Sequence, residues 1–136
     1  MKRSLAISLF LCLTILSCSK ESIQDVAVYY TVHLYDTKMK NLLSTGGCVT
    51  IKDQGVAGLI IRRRGDGSYA AFDQCSTVEP AKRCAVEPIE NGTLAEDPCS
   101  GARFYLDDGS AAKEPAVHPL KQYKVYSDGA ILRVFN

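Results

Sequence analysis

The stretch Asp97-Pro98-Cys99-Ser100-Gly101-Ala102-Arg103-Phe104 decides the fold. Pro98, Ser100 and Gly101 are turn formers, so the cysteine sits in a loop. On its far side Arg103 to Leu106 reads as a short strand, ended by Asp107-Asp108-Gly109. On its near side Arg83 to Pro88 and Thr93 to Glu96 read as strands flanking Glu90-Asn91-Gly92, where Asn-Gly is a strong turn signal.

The same rhythm runs through the rest of the chain. Val26 to Tyr35 is rich in β-branched and aromatic residues, with Val26, Val28, Tyr30, Val32 and Leu34 on one face and His33 on the other. Cys48 to Ile51 and Val56 to Ile61 flank a turn at Lys52-Asp53-Gln54-Gly55. Leu59-Ile60-Ile61 is apolar without alternation, which predicts a central strand covered on both faces. Arg64 to Ser68 turns the chain into Tyr69 to Asp73, and Asp128-Gly129 is expected to be a tight turn between Gln122–Ser127 and Ala130–Phe135. No stretch carries a sustained helical period, and the fold class is all-β, a sandwich or barrel.

From about Cys48 to Asn136 the chain resembles the Rieske [2Fe-2S] domain family. Tyr69-Ala70-Ala71-Phe72-Asp73 is similar to the strand entering the first cluster loop. Asp97 to Phe104 is similar to the second box, and Phe104 to Gly109 to the strand that follows it. Pro115 to Val125 is similar to the proline loop and final hairpin. The resemblance implies an antiparallel β-sandwich or barrel with two loops forming a cluster-binding tip.

The cluster itself needs two Cys thiolates and two His nitrogens. The family supplies them as C-x-H and C-P-x-H-G-x-x-F. Aligning the second box on Pro98, Gly101 and Phe104 places Asp97 on the ligand Cys and Ser100 on the ligand His. In the first box Cys75 stands at the Cys position, and Thr77 replaces the His. His33 and His118, the two histidines of the chain, are not at box positions. The expectation is therefore a degenerate site with no metal or cofactor. The alternative is electron transfer by a nonstandard [2Fe-2S] cluster on Cys75, Cys84 and Cys99. A four-Cys site that adds Cys48 lacks C-x-x-C spacing, and tetrahedral zinc is a further, disfavoured option.

In some Rieske proteins the variable position of the second box is a Cys that bonds to one in the first loop. Cys99 occupies that position, and the resemblance implies a disulfide there. Cys84 lies a few residues beyond the family's partner position, and the turn at Asn91 brings it opposite Pro98–Cys99. Cys84–Cys99 is the favoured pairing, Cys75–Cys99 the rival. Lys82 and Arg83 beside Cys84 raise a third reading, an exchanging redox disulfide; basic neighbours alone are weak support for it.

The N-terminus reads as export and attachment. Lys2 and Arg3 precede an uncharged apolar run, Leu5 to Leu16, too short to span a bilayer comfortably. It ends in Ile15-Leu16-Ser17-Cys18, which resembles a bacterial lipobox. That implies a signal peptide over residues 1–17, lipid on Cys18, a tether over 18–25 and one domain over 26–136. Several acyl chains on one Cys hold stably where one would not. The implied location is the cell envelope of a bacterium with an outer membrane, the partners being that membrane and an unidentified envelope protein. Cleavage turns the net charge from +1 to −1, which argues against a nucleic-acid partner. Four cysteines, Cys48, Cys75, Cys84 and Cys99, remain for two disulfides in an oxidising compartment.

Smaller motifs are read as architecture. Arg64-Gly65-Asp66 is a turn before it is an adhesion tripeptide, and Asn91-Gly92-Thr93 a turn before a glycosylation site. Arg62-Arg63-Arg64 is expected to be a solvated strand end, and Tyr123 and Tyr126 packing and rim residues. No nucleophile–base–acid trio is visible.

Overall fold

The computed structural model describes residues 22–136, so the signal-peptide residues and Cys18 lie outside the described part. Ten strands form two antiparallel sheets. They are β1 (Tyr29–His33), β2 (Cys48–Ile51), β3 (Leu59–Arg63), β4 (Tyr69–Asp73), β5 (Glu87–Ile89), β6 (Leu94–Glu96), β7 (Arg103–Tyr105), β8 (Ala111–Lys113), β9 (Gln122–Ser127) and β10 (Ile131–Phe135). The larger sheet runs β1-β10-β9-β4-β3-β2, the smaller β5-β6-β7-β8. The all-β expectation holds.

The unbroken apolar run in β3 has a direct cause. Leu59, Ile61 and Ala71 face one core with Met39, Leu42 and Leu132. Ile60, Ala70 and Phe72 face a second, with Phe104, Leu106 and Val86 from the smaller sheet and its loops. The centre of the large sheet is thus sandwiched, and alternation disappears where both faces are dry. Phe72 and Phe104 are fully buried, worth about 2–3 kcal/mol each by area transfer. Gly109 closes the β7–β8 turn at φ +80°, and a Cβ there would stand 2.7 Å from the Phe72 ring, so no larger residue fits.

Four local expectations are corrected. The first strand is shorter than Val26–Tyr35: among the described residues it pairs with β10, over Tyr29–His33. The Asn136 side chain then takes over, accepting from the Val28 amide and donating to the Val26 carbonyl. Thr37–Leu43, in a chain where no helical period is expected, is a 3₁₀ helix capped by Asp36 and burying Met39 and Leu42, whose i, i+3 spacing is its one sequence trace. The last hairpin turns one residue later than expected, with Gly129 and Ala130 at its centre and the Asp128 carboxylate accepting from the Ala130 and Ile131 amides. Finally, Arg62 is not a solvated strand end. It is 7% exposed, pairs with Asp107 at 2.7 Å and donates to the Gly46 and Gly92 carbonyls. A guanidinium fork can satisfy several acceptors from a buried stem. Here it ties β3 to two turns of the smaller sheet, through Gly92 and Asp107, and to the loop before β2, through Gly46.

Candidate functional site: the two-loop tip

Two loops meet at one end of the molecule. The first joins β4 to β5 across residues 74–86, and the second joins β6 to β7 across residues 97–102. The first is a hairpin-like excursion. Gln74 and Val86 exchange hydrogen bonds, Cys75 bridges to Ala85, and the Ser76 amide donates to the Cys84 carbonyl. Pro80–Lys82 forms a single 3₁₀ turn between Glu79 and Arg83, both in left-handed backbone at φ +53° and +50°. That reversal returns the chain so that Cys84 lies beside the second loop.

Two buried carboxylates organise the tip. Asp73, at the end of β4, accepts from the amides of Val56, Ala57 and Cys75 and from the Tyr123 hydroxyl. It fixes where the first loop begins. Tyr123 is therefore more than packing, since its hydroxyl, 2.8 Å from Asp73, is part of this hub.

Asp97 does the same for the second loop and joins it to the first. One carboxylate oxygen accepts from Ser76 and Ser100, both at 2.6 Å, and the other from the Cys99 amide at 2.8 Å. Burial pushes the Asp97 carboxyl up. The hydrogen bonds from Ser100, Ser76 and the loop amides outweigh it and hold the group below the usual carboxylate range. The two second-box ligand positions, Asp97 and Ser100, are thus bonded to each other.

Cys84 and Cys99 are joined by a disulfide, with Cα atoms 6.2 Å apart. The rival partner, Cys75, is a free thiol and fully buried. Cys48 is also free, half-buried at the start of β2 and beside Gly92. Thr77 donates to the His118 carbonyl at 2.7 Å, tying the first loop to the proline loop. His33 lies on the exposed face of β1. Of the sulfur, imidazole and carboxylate donors among the described residues, Cys84, Asp97 and Cys99 bring theirs within 4.8 Å of one another; Cys75 and both histidines lie outside that group.

This donor set does not fit a two-Cys, two-His cluster. It comprises one disulfide and one carboxylate whose acceptor sites are already taken by serines and amides. The two cations beside Cys84 have other partners: Lys82 pairs with Glu79 at 2.6 Å, and Arg83 donates to the Gln24 side chain at 3.2 Å. Sequence reasoning did not single out Ser76 or Asp73. The available signal was a carboxylate closing an apolar strand that is buried on both faces.

Burial, followed by the charge of Asp73, pushes the Cys75 thiol up to about 11. It is protonated at neutral pH and unreactive. Burial also raises Cys48, against the opposing charge of Arg62. Native protein treated with iodoacetamide at pH 7.5 is expected to leave Cys75 unmodified, and the same treatment in denaturant to label both thiols, as read by peptide mass. Rapid native labelling of Cys75 would contradict the buried placement.

No family model and no curated protein matches the chain. Solved structures do. The fold is similar to the plasma-membrane Rieske protein PetC3 of Synechocystis PCC 6803, at 22% identity and TM-score 0.57 over 81% of this chain and 98% of that one. It is similar to a chain of the oxygenase–ferredoxin complex of carbazole 1,9a-dioxygenase, at 20% identity and TM-score 0.53 over 79% and 93%. A Sphingomonas yanoikuyae B1 ferredoxin gives 21% identity and TM-score 0.51 over 68% and 88%. The domain has a Rieske-like fold, and at these identities the likeness concerns the fold alone.

Proposed function

We propose that this chain is a bacterial cell-envelope lipoprotein, lipid-anchored at Cys18, whose Rieske-like domain is a cluster-free binding or structural module. Processing removes residues 1–17, and the domain over residues 26–136 faces the periplasm or the exterior, with the outer membrane as its site. A membrane and an envelope protein are its partners. The observation that carries the cluster-free reading is the Asp97 network. The residues at the second-box ligand positions satisfy one another, and the disulfide crosslinks the loops that a metal would otherwise join.

One observation favours a second reading, electron transfer through a [2Fe-2S] cluster with nonstandard ligands: the Cys84, Asp97 and Cys99 donors converge, and two-electron reduction of the disulfide by a cellular dithiol would free the two sulfurs as thiolates. The two readings part on colour. Full-length protein, solubilised in detergent and purified without oxygen, is expected to be colourless, with no stoichiometric iron or acid-labile sulfide. Visible absorption bands with iron and sulfide in equal amounts would overturn the cluster-free reading and make Cys84, Asp97 and Cys99 the residues to substitute.

A further inference from the structure

The segment that follows the anchor is not free of the domain. Lys121 donates to the Asp25 carboxylate at 2.7 Å and to the Gln24 carbonyl at 3.4 Å, and Arg83 reaches the Gln24 side chain at 3.2 Å. The Lys121 ammonium also holds the Asp25 carboxyl below its usual range. Ser22 and Ile23 line a hollow of about 320 Å³ with Thr77, Pro80, His118 and Pro119. Every one of these contacts is with the first loop or the proline loop. The tether therefore leaves the molecule at the tip.

From this placement we infer that the two-loop tip faces the phospholipid surface of the membrane that holds the anchor, and is not an outward docking surface. The inference rests on lipidation at Cys18. Only three residues lie between Cys18 and Ser22, four steps of chain with a reach of about 14 Å at full extension. A domain of this size has a diameter of roughly 30 Å, so the anchor cannot pass around it to present another end. The pins at Lys121 and Arg83 matter to this geometry. With them open, the first held residue is Val26, whose carbonyl accepts from the Asn136 side chain, and eight steps of chain from Cys18 reach about 28 Å, close to the diameter of the domain and enough to let the tip turn away.

The surface so presented suits an interface. Val117 is 76% exposed, Pro115 and Pro119 are exposed in the same loop, and Pro98 is exposed in the second loop. The first loop adds the Arg83 guanidinium and the Lys82–Glu79 ion pair, and apolar groups mixed with long basic side chains suit headgroup depth. The opposite end carries the β3–β4 and β9–β10 turns with Tyr35, where Tyr35, Gly67 and Gly129 line one hollow.

The chain contains no tryptophan, so a single introduced one reports depth cleanly. Full-length processed protein carrying Val117→Trp, or Tyr35→Trp at the far end, would be reconstituted into phosphatidylethanolamine–phosphatidylglycerol vesicles containing brominated acyl chains. Quenching of Val117→Trp is expected to be several-fold stronger than that of Tyr35→Trp. Adding Lys121→Glu, which sets two anions against each other at the pin, is expected to bring the two towards equality. Equal or reversed quenching in protein that floats with the vesicles would overturn the orientation while leaving the anchor intact. Protein that does not float, with an unmodified Cys18 peptide by mass, would overturn the anchor and this inference with it.

Discussion

Replacing Asp97 with alanine is expected to destabilise the domain by about 3 kcal/mol, because it strips the buried Ser76 hydroxyl, the half-buried Ser100 hydroxyl and the Cys99 amide of their shared acceptor. Each neutral donor left without a partner costs about 1–3 kcal/mol where water cannot reach it. Ser100 is only partly covered, so the sum falls short of three full penalties. In a domain of this length, that loss lowers Tm by about 10 °C. Chemical denaturation of the variant and the parent, with equal m-values, is the measurement. A change below about 0.5 kcal/mol, ordinary for a surface substitution, would mean that Asp97 does not hold the loops together.

The same residue fixes the direction of the pH response. Its carboxyl is depressed in the folded state relative to its ordinary value of 3.8. The unfolded chain therefore binds its proton first as pH falls. The stabilisation is fully present above the unfolded value, and is lost as pH drops through the folded one. The parent should lose stability below about pH 4, and Asp97→Asn should flatten that acid limb while keeping the shape of the loop. If both proteins lose stability in parallel, the acid sensitivity lies in other carboxylates.

Much of the fold was legible because its strands announce themselves. The twofold covering of β3 was written in Leu59-Ile60-Ile61, and the large-sheet hairpins in their glycines and aspartates. The 3₁₀ helix Thr37–Leu43 was not, since seven residues with two buried side chains leave too short a period to stand above chance. β8 was missed for a similar reason, as Ala111–Lys113 has no β-branched or aromatic residue. The roles of Arg62 and Ser76 were invisible on other grounds. A triple arginine reads as solvent-facing until a sheet places acceptors above one member of it, and a serine in a loop is ordinary until a carboxylate lies 2.6 Å away. Asp97 and Ser100 could be singled out because they stand where the resemblance expects iron ligands. Their bonding to each other is tertiary information, set by how six residues fold back between β6 and β7.

Breaking the Cys84–Cys99 bond is expected to have an effect of similar size. The two residues are 15 apart in sequence, and a crosslink closing a loop of that length is worth about 3 kcal/mol in the chain-entropy account, though calorimetric accounts assign the gain differently. Cys84→Ser with Cys99→Ser removes the bond without leaving a thiol, and should lower Tm by about 10 °C. Reduction of the parent should lower it by a similar amount. Cys99 is exposed at the loop tip, so a small dithiol can reach it without prior unfolding. The Asp97 network and the disulfide hold the same two loops, so their losses should not simply add. Once the disulfide is gone, the second loop can move, and Asp97→Ala then strands fewer donors in a dry environment. The double-mutant cycle should show an interaction of about 1 kcal/mol, within the range for residues that share partners. Strict additivity would mean that the two fasten the loops independently. A larger combined loss than the sum would mean that either one alone suffices to keep the tip folded, the behaviour expected if two crosslinks had replaced one metal.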